Sequence, residues 1–194
     1  MAKLSPGREK AVLKTFGRAS IQSAWWKELE AEIRFCLRCG GGLRQAYVAA
    51  EKRRRRVCGK CAFIAYQNPK VVAATLPLRD GRIYLLRRDI EPSRGLWTFP
   101  AGYQEMGETV EQAALRETRE EIRCRVKITG LHNIYSYPDA GVVTIVYKAA
   151  VVGRAPSPGH ETQAVRAFSP SEIPWEKLAF RSTFHALKEW IQNG

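Results

Sequence analysis

The stretch GETVEQAALRETREEI, residues 107–122, sets Glu117, Glu120 and Glu121 within one helical turn. At spacings i, i+3 and i+4 the three carboxylates project to one side, and like charges so placed cost about 0.2–0.5 kcal/mol per pair. A helix that merely faced solvent would scatter lysines among them. Only Arg116 and Arg119 are interleaved, and both are expected to point elsewhere around the turn. A divalent cation relieves such crowding. Mg2+ takes hard oxygen ligands and commonly binds through a few carboxylates together with substrate phosphates. The cluster reads as a metal site that works on a phosphate-bearing partner.

Four of the five cysteines form a second constellation. Cys36-Leu-Arg-Cys39 and Cys58-Gly-Lys-Cys61 are two CxxC pairs with 18 residues between them, the spacing of a four-thiolate structural Zn2+ site. Gly40 and Gly59 are expected to ease the two knuckles, and the segment between them to return as a short hairpin. The alternatives are two disulfides or unrelated buried thiols, and disulfides are disfavoured in a chain without a secretory signal. Cys124 stands alone after the acidic helix and reads as a small buried hydrophobe.

These ligands need elements to hold them. Thr109 is a candidate N-cap, with Gln112 three residues on completing a capping box. Val110, Ala114, Thr118 and Ile122 make one inward stripe at helical period. Strands are expected at 70–78, 83–86, 125–137, 142–152 and 164–168, with an Asp80-Gly81 hairpin turn and a loop over 153–162. A second helix is expected over 181–192. Strands of mixed direction with two helices predict an α/β sandwich.

Charge is unevenly spread. Residues 1–61 carry 15 Lys/Arg against 5 Asp/Glu, for +10, and residues 62–194 carry 17 against 14, for +3. The densest basic run, Lys52-Arg53-Arg54-Arg55-Arg56, is either a weak contact for RNA or another polyanion, or a solvated hairpin edge blunted against strand pairing. No apolar run is long enough to cross a membrane, and the start MAKLSPGREKAVLK lacks a secretory apolar stretch. The expectation is a cytoplasmic protein with no membrane partner. An organelle-targeting reading of the acid-poor start stands beside it, opposed by Glu9 and the scarcity of Ser.

Written out, Gly102-x5-Glu108-x7-Arg116-Glu117-Thr118-x-Glu120-Glu121-x-Arg123-Cys124 resembles the Nudix box, GX5EX7REUXEEXGU, where U is a bulky aliphatic residue. Arg123 replaces the last Gly of that pattern, and Thr118 and Cys124 are weak versions of U. The order of zinc ribbon, AYQNPKVV, PSRGLWTFPAGYQEMGET and box resembles the zinc-ribbon Nudix hydrolases. That group includes a plant chloroplast FAD diphosphatase and bacterial ADP-ribose pyrophosphatases. The resemblance implies a Nudix-type α/β/α sandwich with a mixed sheet at 67–194 and a zinc ribbon at 34–66. Residues 1–33, with Trp25 and Trp26 in a helix-like stretch, form a basic, helical extension without a counterpart; they pack on the domain or serve a partner, packing being the favoured reading.

The resemblance also implies roles. Glu117, Glu120 and Glu121 would hold catalytic Mg2+ or Mn2+, with the Ala101 backbone carbonyl as a further ligand. Arg116 would brace the site by pairing with Glu108. The reaction would be attack of water on one phosphorus of a nucleoside diphosphate linked to X, releasing a nucleoside monophosphate. The general base would be a box glutamate or Glu161, the only acidic residue between Asp139 and Glu172; Glu161 reads equally as a solvated loop residue. Relatives often carry a second Glu three residues later, where this chain has Ala164, and that departure would lower turnover.

For substrate recognition, Trp97, Tyr135 and Tyr137 are candidate base-stacking residues, as are Phe99 and Tyr147, with core filling as their ordinary role. Arg87 and Arg94 are candidate phosphate contacts, Arg87 reading also as a surface strand residue. The leading function is hydrolysis of a small dinucleotide, FAD to FMN and AMP or ADP-ribose to AMP and ribose 5-phosphate. NADH pyrophosphatase or NAD-cap RNA decapping activity is the variant, and a homodimer is among the assemblies allowed. A non-catalytic Nudix-fold ligand sensor or nucleic-acid-binding regulator is the other class. It is disfavoured because all the box glutamates are kept.

Overall fold

The computed structural model describes residues 5–19 and 33–193, so Trp25 and Trp26 lie outside the described residues. Two compact units are present. The larger holds residues 70–137 and 142–193 with residues 5–19, and the smaller holds residues 33–69 with 138–141.

The larger unit is built on a mixed seven-stranded sheet. Its strands are β4 (Lys70–Arg79), β5 (Arg82–Arg88), β6 (Trp97–Thr98), β7 (Ala101–Tyr103), β8 (Arg125–Tyr137), β9 (Val142–Val152) and β10 (Thr162–Phe168). The order is β10-β5-β4-β9-β8, with β6 beside β5 and β7 beside β4. Only the β4–β9 pair is parallel. Being central, β4 is apolar on both faces, and Ala73, Ala74, Thr75 and Leu76 are fully buried. Asp80 and Gly81, at φ 53° and 71°, take the doubly left-handed backbone that closes a two-residue hairpin from β4 into β5.

The helices divide between the two faces of this sheet. Helix α2 (Val110–Ile122) lies on one face, where Ala113 and Ala114 meet Ala73 and Tyr147, and Ile122 meets Leu86, Cys124 and Val151. The other face is covered by α3 (Arg181–Asn193) through Phe184, Leu187 and Trp190. A third helix lies within the N-terminal stretch read from the sequence as a basic, helical extension. It is α1 (Pro6–Ala19), which inserts Val12 and Phe16 into that same core and sets Phe16 edge-on to Phe184 at 6.1 Å. Burying two such side chains contributes about 1.5–3 kcal/mol each. Its flank carries Glu9, which pairs with Lys188, and Arg8, which pairs with Glu176.

The smaller unit is an antiparallel sheet of β1 (Leu43–Val48), β2 (Arg53–Cys58) and β3 (Ile64–Ala65). A one-turn helix, Ala49–Glu51, joins the first two, with Lys52 left-handed at φ 52°. Among the described residues no helix is long and apolar enough to cross a membrane.

Candidate metal centres and active site

The four cysteines of the smaller unit converge. Their sulfurs all lie within 4.8 Å of one another, with Cys39–Cys61 at 3.3 Å, Cys39–Cys58 at 3.5 Å and Cys36–Cys61 at 3.8 Å. A disulfide needs about 2.05 Å, and none of these cysteines is bridged. A tetrahedron of Zn–S bonds puts its sulfurs about 3.8 Å apart, so the donor set fits zinc. Gly41 makes the approach feasible: a Cβ there would come within 3.1 Å of Cys58 Sγ and 3.3 Å of Cys39 Sγ. The first knuckle uses Gly40 at φ 68°, but the second takes its left-handed residue at Ala62, φ 59°, rather than at Gly59.

The thiols already differ in acidity. Backbone N–H groups of Cys61 and Lys60 lower Cys58 to about 6 against the opposing effect of burial. For Cys39 the Gly41 N–H pulls down, but the sulfurs of Cys61 and Cys58, burial and Cys36 together push it up to about 12. A cation that takes all four as thiolates removes that competition.

The second centre begins with the start of α2. Thr109 caps it by accepting from the Gln112 N–H at 3.2 Å, and the Gln112 side chain accepts from the Thr109 N–H at 2.8 Å. Its buried face is fixed by a Thr118–Thr75 hydroxyl pair at 2.7 Å. That face is polar where an aliphatic residue would be usual, and the partner hydroxyl explains why Thr is accommodated. With the helix so placed, Glu121 is only 9% exposed and accepts from the Ala101 N–H at 2.8 Å. Glu117 folds over Gly102, where a Cβ would lie inside the carboxylate itself. Glycine is therefore required at 102 by close approach.

Arg116 corrects the expectation that it points away from the glutamates. Its guanidinium bonds Glu108 at 2.7 Å, Glu117 at 2.6 Å, Glu120 at 3.2 Å and the Tyr103 carbonyl at 3.0 Å. The reason is that residue 120 is one turn on from 116, on the same side. The cation thus stands between Glu117 and Glu120, and the box carboxylates are more widely spread than the cysteine sulfurs.

Burial leaves charge uncompensated. Desolvation pushes Glu121 up to about 8 against the Ala101 hydrogen bond, with Glu117 and Glu161 adding repulsion and Arg88 opposing it. Glu117 is also raised, by burial first, although Arg116 pulls it down. A buried carboxylate held above its usual range, beside a glycine cradle and two more acids, is a donor set that fits a hard divalent cation.

The end of α2 explains the missing box glycine. Arg123 adopts the left-handed backbone itself, at φ 48° and ψ 37°. The loop over 153–162 then supplies donors to the last carbonyls: Ser157 N–H to Ile122 at 2.9 Å and Gly159 N–H to Glu121 at 2.8 Å. Gly159 lies so tightly on the Glu120 carbonyl that no Cβ would fit. This docking carries Glu161, which is exposed, to where its charge acts on Glu121 and Arg88.

The other candidates are placed as follows. Arg87 is exposed, and Arg94 is exposed and paired with Asp89 at 2.9 Å. Trp97 packs edge-on to Phe168 at 5.1 Å. Tyr135, 6% exposed, bonds Glu189 at 2.7 Å, and Tyr137 bonds His185 at 2.8 Å with the Arg181 guanidinium 4.4 Å over its ring. These three aromatics belong to the core under α1 and α3, on the face opposite α2, whereas Tyr147 lies under α2 and bonds Glu111 at 3.0 Å. Sequence reasoning passed over Arg88, Gly102 as a cradle, and Gly159. A buried arginine at a strand end leaves no mark in a sequence, although Gly102 stood in the quoted pattern.

Comparison with known proteins agrees with this geometry. The NUDIX domain model matches residues 68–188, and the Nudix N-terminal zinc-ribbon model matches residues 34–67. The chain belongs to the Nudix family. It is a metal-dependent nucleotide diphosphate hydrolase with a zinc-ribbon module ahead of its Nudix domain. The crystal structure of a NUDIX hydrolase from Nitrosomonas europaea superposes with a TM-score of 0.79 at 38% identity, covering 83% of this chain and 92% of that one. An ADP-ribose pyrophosphatase from Methanocaldococcus jannaschii is 34% identical over 119 residues, 59% of this chain and 69% of that protein. The NAD-capped RNA hydrolase NudC of Chromobacterium violaceum is 33% identical over 111 residues, but the match spans only 40% of that protein.

Proposed function

We propose that this chain hydrolyses the diphosphate of small dinucleotides, FAD to FMN and AMP or ADP-ribose to AMP and ribose 5-phosphate, with Mg2+ or Mn2+, in the cytoplasm. The observation that carries the reading is Glu121: a carboxylate buried beside Glu117 and Glu161 with only a backbone donor and a distant guanidinium to offset it. The name of the Methanocaldococcus relative, ADP-ribose pyrophosphatase, supports ADP-ribose as a substrate.

Glu117, Glu120 and Glu121 would hold the divalent ion, with Ala101 fixed against Glu121 as the backbone neighbour. Such an ion neutralises diphosphate charge and makes water nucleophilic near neutral pH. For the ion to use Glu117 and Glu120, Arg116 gives up those two contacts while keeping Glu108 and the Tyr103 carbonyl. The box is thereby braced before the ion arrives. Glu161 would take the proton of the attacking water, since it stands free of the brace and near Glu121.

A panel of FAD, ADP-ribose, NADH and NAD-capped RNA with Mg2+ or Mn2+ tests the proposal. Cleavage of FAD or ADP-ribose to AMP is the expected outcome; cleavage of none of the four would refute it. NAD-capped RNA is the second reading, favoured by β2. Arg55 there is tied to Glu51 and stacked near Tyr66, whereas Arg53 and Arg54 are exposed. Replacing Arg53 and Arg54 with Gln should weaken RNA binding, flatten its salt dependence and spare dinucleotide hydrolysis. Unchanged RNA binding would remove this reading.

A further inference from the structure

Arg88 closes β5 and Thr162 opens β10, and the two are direct cross-strand partners. Strand alternation puts Arg88 on the same face as Leu86, which packs against Ile122 of α2. Both partners are buried, Arg88 at 9% and Thr162 at 7% exposure. Their polar atoms are nonetheless underused. The Arg88 Nε donates to the Pro92 carbonyl at 2.9 Å and the guanidinium lies 5.1 Å over the Phe180 ring. Its two terminal nitrogens have no hydrogen-bond partner among the described residues, and no carboxylate lies within 4.0 Å. The Thr162 hydroxyl is buried with no partner among the described residues.

An arginine taken this far out of water normally pairs. Arg88 instead feels Glu121, Glu161 and Glu91 at longer range, and burial lowers its pKa. What suits a cationic fork and a spare hydroxyl among three acids is an anion that arrives with its own cation. A diphosphate bound to a divalent ion has that character, and the planar fork matches two of its oxygens.

We propose that Arg88 and Thr162 form a phosphate-oxygen subsite that grips the diphosphate beside the carboxylates that serve the metal. The inference rests on the hydrolase reading above and assigns that site a second, metal-independent hold on its substrate. Neither residue belongs to the box.

The test uses the full chain with Arg88→Lys and Thr162→Val, titrated calorimetrically with inorganic pyrophosphate in Mg2+ and assayed with ADP-ribose and FAD. Arg88→Lys, which keeps the charge and loses the fork, should weaken pyrophosphate binding and raise KM by about tenfold. Mn2+ affinity without anion should stay within about twofold. Thr162→Val should raise KM about two- to fivefold without lowering Tm. A hydroxyl that is merely buried and idle predicts the reverse, an unchanged KM with a higher Tm.

Pyrophosphate affinity unchanged in both variants would overturn the subsite, as would failure of the wild type to bind pyrophosphate. Should Arg88→Lys not fold, Thr162→Val alone decides. If neither dinucleotide is cleaved, the substrate reading falls, and the pyrophosphate titration still judges the subsite.

Discussion

The two candidate metal centres meet the same problem, crowded anionic groups, in opposite ways. In the ribbon the four sulfurs sit 3.3–3.8 Å from a neighbour with no protein cation between them, so the ion is the fold's own cross-link. In the box, Arg116 already occupies the space between Glu117 and Glu120 and ties them to Glu108 and to Tyr103. The ribbon has a three-stranded sheet and little core to fall back on. The box helix is nailed to a seven-stranded sheet through Thr118, Ala113, Ala114 and Ile122. A structural ion replaces a core, whereas a catalytic ion is added to one that is already complete. The difference follows from lifetime: an ion that must admit substrate cannot also be what holds the protein together.

The largest effect that would break this contrast is on the ribbon. Removing zinc, or Cys58→Ser, should unfold residues 33–69, because structural zinc contributes about 10–16 kcal/mol in small modules. Amide exchange in α2 should stay protected. Unchanged protection in the ribbon after chelation would contradict its dependence on the ion, as would protein prepared without chelator carrying no zinc. The next effect is at Gly102. Gly102→Ala should leave the sheet intact but displace the Glu117 carboxylate, cutting kcat by about a hundredfold; retained turnover would mean that Glu117 need not occupy this cradle. The smallest effect concerns Arg123. Relieving its left-handed backbone with Arg123→Gly should add about 1 kcal/mol of stability with little change in kcat. A lower Tm would show that the Arg123 side chain, not its backbone, matters to the cap.

Most of the framework was legible in the sequence because it is local. The CxxC spacing, the Asp80-Gly81 turn and the Thr109–Gln112 capping box each lie within a few residues, where chemistry and spacing suffice. Strand extents followed from alternation, although β6 and β7, two and three residues long, left no periodic signal. The helical character of the stretch that carries α1 is local, but its docking is not: Val12 and Phe16 meet a core assembled from residues between Ala74 and Trp190. The same limit applies to the active site. Box glutamates announce themselves, but the Ala101 donor to Glu121, the Gly159 fit on Glu120 and the lone Arg88 fork arise only when distant segments meet. Arg116 differs: its pairing with Glu108 follows the expected pattern, and its i,i+4 relation to Glu120 draws the guanidinium between the repelling carboxylates instead of away from them.

The central claim is that the box carboxylates are a cation's ligands rather than surface charge, and Glu121→Gln tests it most directly. In the folded protein Glu121 titrates near 8, against an ordinary value of 4.5. A folded-state pKa raised this way means that the native state holds its proton longer than the unfolded chain. Stability is therefore lost as pH rises from about 4.5 to 8 in metal-free protein, because the unfolded chain gives up this proton first. The variant carries no such cost. Without metal, its Tm should exceed that of the wild type at pH 7.5, and the gap should close toward pH 4.5. With saturating Mg2+ and ADP-ribose or FAD, its kcat should fall by about a hundredfold or more. Wild-type turnover in Glu121→Gln at saturating metal would contradict the account, and the three glutamates would be surface charge after all.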